Sequence, residues 1–223
     1  TVGLLNALNA LQGRYSSKKE LALNAIHVEQ NIIKEAVGSQ DQVAAAYGGL
    51  NRIDFFGDNS ISVNPVILPK YRVEELQSHL LLFFTGVSRF ATEIETVKMQ
   101  NFSNKKIELT KMKQMVTEAV SILSASEKNI TDFGELLREG WEYKKSLSNN
   151  VSNTEIDSIY NAAIQEGAIG GKILGAGGGG FMLFFAPPDK HKQIIQRLAH
   201  LTHVPFKFEY DGSSVVLYQP NGL

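Results

Sequence analysis

Residues 171–185 read GKILGAGGGGFMLFF, with four consecutive glycines, Gly177 to Gly180, set against a strongly apolar run. Glycine costs about 0.5–1 kcal/mol relative to alanine inside a regular element. Four in succession therefore mark either a disordered linker or a backbone shape that side chains would obstruct. A flexible linker has polar flanks, whereas this run lies between Ile173-Leu174 and Phe181-Met182-Leu183-Phe184-Phe185. The neighbours must order it. Such a loop can bring backbone N–H groups close to an anion or to another loop, or it can serve only as a tight turn. No Lys-Ser or Lys-Thr follows the glycines, and no clean G-x-G-x-x-G is present, so neither common phosphate-loop pattern applies.

Other residues have types suited to charge and proton chemistry. Thr85, Gly86, Ser88 and Arg89 fall at an expected strand-to-helix turn. Ser88 and a helix N-terminus can hold a phosphate, with Arg89 adding a bidentate contact; equally, Ser88 can be a simple cap and Arg89 a surface charge. Asp41 follows Gly38-Ser39-Gln40, where a helix begins. Its carboxylate can face a cleft or merely interact with the helix macrodipole. Glu29 reads as a helix glutamate. Lys144 and Lys145 follow Trp141 on a helix, where they can add positive charge, but they read first as solvated. His200 and His203 are three apart without acidic or cysteine partners, which gives a structural reading and no expected zinc site.

Positioning these groups falls to an ordinary globular chain. Its 223 residues are 43% apolar and 20% charged, with net charge −1 and no cysteine. The charge gives no global basic field for nucleic acid and no polybasic membrane signal. No apolar run approaches the roughly 18 residues of a membrane helix. The N-terminus has no basic segment before its apolar stretch, so it is not a signal peptide. Val2, Leu5, Leu8 and Leu11 recur at helical spacing and Gly13 stops that helix. Ser17 and Glu20 form a capping box for a helix expected to end at Gly38. A short helix closes at Gly48-Gly49, and two strands follow with a turn near Gly57-Asp58-Asn59. A domain boundary is expected around residues 68–75, dividing the chain into 1–72 and 73–223. The second part reads as a strand ended by Gly86, helices over 107–127, 130–148 and 153–167, a strand at 180–188, a helix from Asp189, and a hairpin turning at Asp211-Gly212. The order is an α+β pattern.

GGKILGAGGGGFMLFF resembles the third motif of the GHMP kinases. VEQNIIKEAVGSQDQVAAAYGGLNRIDF resembles the segment in which galactokinase-like members carry a glutamate and then an aspartate-glutamine pair. Together with LLLFFTGVSRFA, these stretches are most similar to the D-glycero-D-manno-heptose 7-phosphate kinases, with fucokinase-type sugar kinases next. The resemblance implies an α+β fold: a remnant of the ribosomal protein S5 domain 2-like N-terminal domain, followed by a ferredoxin-like C-terminal α/β sandwich. It implies ATP-dependent phosphorylation of a sugar phosphate at its anomeric hydroxyl, with Asp41 as base and Glu29 as Mg²⁺ ligand. Gly175, Ala176, Gly177, Gly178 and Gly179 would lie beside ATP. Gln42, Thr85, Gly86, Ser88 and Arg89 would hold the sugar. It further implies a cytoplasmic protein with a small-molecule substrate and neither nucleic-acid nor membrane partners. The family's Pro-x-x-x-Gly-Leu-Gly-Ser-Ser loop is absent and would precede Thr1. The chain thus resembles the C-terminal part of a kinase, expected to bind ATP weakly and show no activity alone. Two other readings stay open: a kinase of unphosphorylated sugars, and a noncatalytic binding module.

Overall fold

Ser17 is extended and accepts the Glu20 N–H, while the Glu20 carboxylate accepts the Ser17 N–H at 2.8 Å. This is the capping box read from the sequence, and it starts the second helix of a computed structural model. That structure describes residues 1–86, 105–175 and 177–219. The chain divides into two units: Thr1–Val66 joined by the C-terminal segment from Phe208 onward, and Ile67–Lys207.

The first unit contains α1 (Val2–Leu11), α2 (Lys18–His27), α3 (Gln40–Tyr47) and an antiparallel hairpin of β1 (Asn51–Phe55) with β2 (Ile61–Pro65). Val2, Leu21, Ala22, Ala25, Val43 and Ala46 form its core, with Ile53, Ile61 and Val63 packed against them. The small alanines let α2 and α3 approach closely. Helix α2 does not run to Gly38. It widens into a π-helical turn over Val28–Ile32, and Lys34 then takes a left-handed conformation (φ 63°). Gly38 is not in that conformation; the turn at Lys34 frees the chain to re-enter as α3. Gly48 (φ 65°) ends α3, and Asn59 (φ 63°) supports the hairpin turn, as the residue types predict.

The second unit opens with α4 (Lys70–Ser78), a helix that the sequence reading missed at the domain boundary. There follow β3 (Leu80–Phe84), α5 (Lys106–Ser124), α6 (Thr131–Ser146), α7 (Thr154–Gln165), β4 (Gly170–Ile173), β5 (Phe181–Phe185), α8 (His191–Arg197) and β6 (Thr202–His203). The strands form one sheet in the order β4-β5-β3-β6, each neighbour antiparallel. Leu81 and Phe83 alternate inward from β3, as do Met182 and Phe184 from β5. They pack with Trp141, Ile156, Ile159 and Ile194 from the helices. Each such side chain contributes about 1.5–3 kcal/mol on burial.

Two local devices set this packing. Arg72, buried on α4, donates to the carbonyls of Ile122 (2.8 Å), Leu123 (3.3 Å) and Lys128 (2.9 Å) and pairs with Glu75. It thereby satisfies carbonyls that the C-terminus of α5 leaves unpaired. Helix α6 lies directly on β4 because glycines face each other there. A Cβ on Gly170 would meet the Gly134 carbonyl oxygen at 2.3 Å. Strand β4 was not foreseen as a separate element, because its Gly170-Gly171 start reads as a breaker rather than as a close-packing surface.

The hairpin expected over the C-terminal segment is not formed; residues 204–219 contain no strand. Their backbone pairs elsewhere, with the Gly49 N–H donating to the Glu209 carbonyl at 2.7 Å and the Ser213 N–H to the Ala45 carbonyl at 2.9 Å. No helix among the described residues is long and apolar enough to cross a membrane.

Candidate active site

In the first unit the π-helical turn brings Glu29 next to α3. Gln30 donates from Nε2 to the Val37 carbonyl (2.9 Å) and to Ser39 Oγ (3.1 Å), which fixes the approach to that helix. One residue into α3 stands Asp41, exposed and without a hydrogen bond among the described residues; next to it is Gln42, 5% exposed. Gln42 Nε2 donates to Glu29 Oε2. A carboxylate accepts only, so the amide nitrogen must face it. That leaves Gln42 Oε1 buried with no partner among the described residues. An unpaired buried acceptor costs about 1–3 kcal/mol. Glu29 and Gln42, thirteen positions apart in sequence, are thus bonded, and Asp41 precedes Gln42 in the chain.

In the second unit the glycine run is the connection between β4 and β5. Gly175 (φ 71°), Gly177 (φ 119°), Gly178 (φ 74°) and Gly180 (φ 90°) all take conformations closed to most side chains. Four residues hold it. Lys144, in the last turn of α6, donates from Nζ to the Ile173 carbonyl (3.0 Å) and the Gly175 carbonyl (2.6 Å). The Gly178 N–H donates to the Val151 carbonyl at 3.0 Å, and Asn153 Nδ2 reaches the Gly178 carbonyl at 3.4 Å. Thr85 donates from both N (2.8 Å) and Oγ1 (2.9 Å) to the Gly180 carbonyl. The expectation of an ordered loop is met, and so is a glycine requirement at Gly177, where a Cβ would stand 2.8 Å from the Val151 carbonyl oxygen.

The reading of Lys144 as solvated is corrected: it is 9% exposed, and its ammonium donates to backbone carbonyls. Lys145 is half-buried, pairs with Glu142 at 2.9 Å and lies 5.8 Å from the Trp141 ring centroid. Thr85, expected on the sugar side, braces the glycine loop. Gly86 (φ 76°) ends β3 as expected. Ser88, Arg89 and Ala176 lie outside the described residues. His203 sits in β6, its ring 5.3 Å from that of Phe83. Among the described residues no cluster of three or more acidic or histidine side chains could hold a metal by itself. Glu29 offers a single carboxylate. Its hard oxygens fit Mg²⁺, which commonly takes one or two carboxylates and completes its shell with phosphate oxygens and water. Lys144 and Asn153 are the site residues that sequence reasoning missed. A polar cap before the acidic first turn of α7 was visible at Asn153; nothing in the sequence distinguishes a buried lysine from a solvated one.

Residues 118–201 match the family model described as GHMP kinases C terminal. The chain is 35% identical over 204 residues to D-glycero-alpha-D-manno-heptose 7-phosphate kinase of Campylobacter jejuni, a match covering 88% of this chain and 58% of that protein. It is 27% identical to the bifunctional fucokinase/GDP-fucose pyrophosphorylase of Arabidopsis thaliana, over 82% of this chain and 18% of that one. The crystal structure of a D-glycero-D-manno-heptose 1-phosphate kinase from Bacteroides thetaiotaomicron superposes with a TM-score of 0.69 at 26% identity, covering 95% of this chain and 59% of that one. The chain thus spans somewhat over half the length of the heptose kinases it matches.

Proposed function

The chain belongs to the GHMP kinases and carries their C-terminal domain, and from that premise we propose that it serves in an ATP-dependent sugar kinase. In this reading the acceptor is the anomeric hydroxyl of D-glycero-D-manno-heptose 7-phosphate and the product is the 1,7-bisphosphate. The observation that carries it is the Gln42–Glu29 bond, with Asp41 exposed beside Gln42 in α3. Phosphoryl transfer needs positioning, charge neutralisation and removal of the nucleophile's proton. Asp41 is exposed and has no partner among the described residues, so its carboxylate is available to accept the proton of an anomeric hydroxyl, which is more acidic than an ordinary alcohol. Gln42 Oε1, buried and without a donor among the described residues, would accept from a sugar hydroxyl. Glu29, oriented by Gln42, would hold Mg²⁺, whose charge offsets that of the triphosphate when bound. The glycine loop would lie beside the nucleotide, and Gly86, Ser88 and Arg89 would receive the sugar's distal phosphate.

The similarity to a heptose 7-phosphate kinase supports a phosphorylated acceptor. A second reading, a kinase of an unphosphorylated sugar at C1, is favoured by the similarity to a fucokinase. The test is phosphoryl transfer from γ-labelled ATP by the protein carrying this chain, with heptose 7-phosphate, fucose and galactose as acceptors. A labelled bisphosphate is the expected product. Turnover with fucose or galactose alone would select the second reading, and no transfer to any of them would leave a binding role.

A further inference from the structure

We infer that Lys144 is the positioning residue of the glycine loop, holding the loop backbone in the shape that meets the nucleotide. This deepens the reading above and rests on it for the nature of the ligand. The geometry begins at the glycine contact between α6 and β4, where Gly134 and Gly170 allow the two backbones to touch. From Gly134 to Lys144 is ten helical residues, about 15 Å. Strand β4 runs from Gly170 to Ile173, about 10 Å, and Leu174 and Gly175 carry the chain beyond it. Helix and strand therefore run out together, and the ammonium arrives at the point where β4 ends and the glycines begin.

There it captures the carbonyls of Ile173 and Gly175 at 3.0 and 2.6 Å. The two bonds to one buried ammonium tie the two peptide planes together. The Leu174 N–H, on the far side of the captured Ile173 carbonyl, donates to Phe181 at 2.8 Å and closes the loop's neck. Glycines alone cannot do this, since each is free to take many backbone conformations. Lysine is seldom buried unless paired, and an ammonium has three donors and no acceptor. Its burial here is spent on loop shape. A cation at this place also leaves positive charge behind the loop, which favours a polyanion in front of it.

The test uses Lys144→Met, which keeps the stem and removes the charge, and Lys144→Arg, which keeps the charge with a different donor geometry. Amide hydrogen exchange over 173–181 reads the loop without substrate. Lys144→Met is expected to speed exchange there roughly tenfold, to raise KM for ATP by a similar factor, and to leave KM for the sugar phosphate within about twofold. Lys144→Arg is expected to recover part of both effects, and it carries the test should the methionine variant fail to fold. Unchanged exchange in the loop overturns the inference. Faster exchange with unchanged KM for ATP overturns its nucleotide role. Equal rises in KM for both substrates reduce Lys144 to general stability and overturn it as well. A wild-type protein that transfers no phosphate fails the functional reading, while exchange still decides whether Lys144 shapes the loop.

Discussion

Asp41 and Gln42 are adjacent in sequence and opposite in environment, one exposed and one buried against Glu29. Asp41→Asn preserves shape and removes the base, so turnover is expected to fall by roughly 10²–10⁴ with ATP binding largely intact; calorimetric titration beside steady-state kinetics checks both. Gln42→Leu keeps the volume and abandons Glu29. It should raise the Mg²⁺ concentration needed for half-maximal rate more than it changes KM for ATP, read from magnesium titrations at fixed nucleotide. Arg89→Ala should raise KM for the sugar phosphate about tenfold or more, the effect of losing a charge-assisted bidentate contact, and leave KM for ATP nearly constant. The sequence made Asp41 and Glu29 legible only through resemblance, since both residue types are common on helices. That Gln42 turns its nitrogen to Glu29 was not legible at all, because it depends on which neighbour takes the amide nitrogen.

Elements differ in how their ends are secured, and single substitutions separate the cases. Gly177→Ala places a Cβ against the Val151 backbone at φ 119°, whereas Gly175→Ala meets nothing within 4 Å at φ 71°. The Gly175 change is expected to cost about 1 kcal/mol from its left-handed backbone. The Gly177 change should cost distinctly more and distort the loop, measured by urea unfolding. Helix α8 supplies a pH dependence. Burial holds His191 below its usual range, and its Nε2 lies 3.1 Å from the Ala186 carbonyl oxygen. The unfolded chain therefore takes up this proton at higher pH than the folded one, and the unfolded state binds more protons in between. Stability from His191 is full above its ordinary pKa near 6.5 and is lost as pH falls through the lower folded value. Thermal melts between pH 8 and 5 should show the decline, and His191→Gln should flatten it. The caps at Ser17 and Gly48 and the turn at Asn59 were readable because local chemistry fixes them. The end of α2 was not, since the π-helical turn answers to contacts with residues 37–42.

At the scale of the whole molecule, the last described residues belong with the first. Gly212 (φ 64°) lies so close to the end of α3 that a Cβ would meet the Ala46 carbonyl oxygen at 2.6 Å. Lys18 Nζ ties the Tyr47 and Asp211 carbonyls together at 2.7 and 2.8 Å. Gly212→Val should loosen the first unit while sparing the second. Hydrogen exchange is expected to accelerate in α2 and α3 and to stay unchanged in β3 and β5. The sequence by itself determined the helices with clear caps, the β1–β2 hairpin, the apolar strands β3 and β5, and the need for an ordered glycine loop. These follow from periodicity, turn chemistry and backbone sterics, which act over a few residues. Only the tertiary structure decided that residues 208–219 join the first unit instead of forming a hairpin, that Gly170-Gly171 opens a strand, and that Lys144 turns inward to the loop. Each of these depends on which backbone carbonyl or helix face lies within reach across dozens of residues, and a buried polar group goes wherever a partner satisfies it.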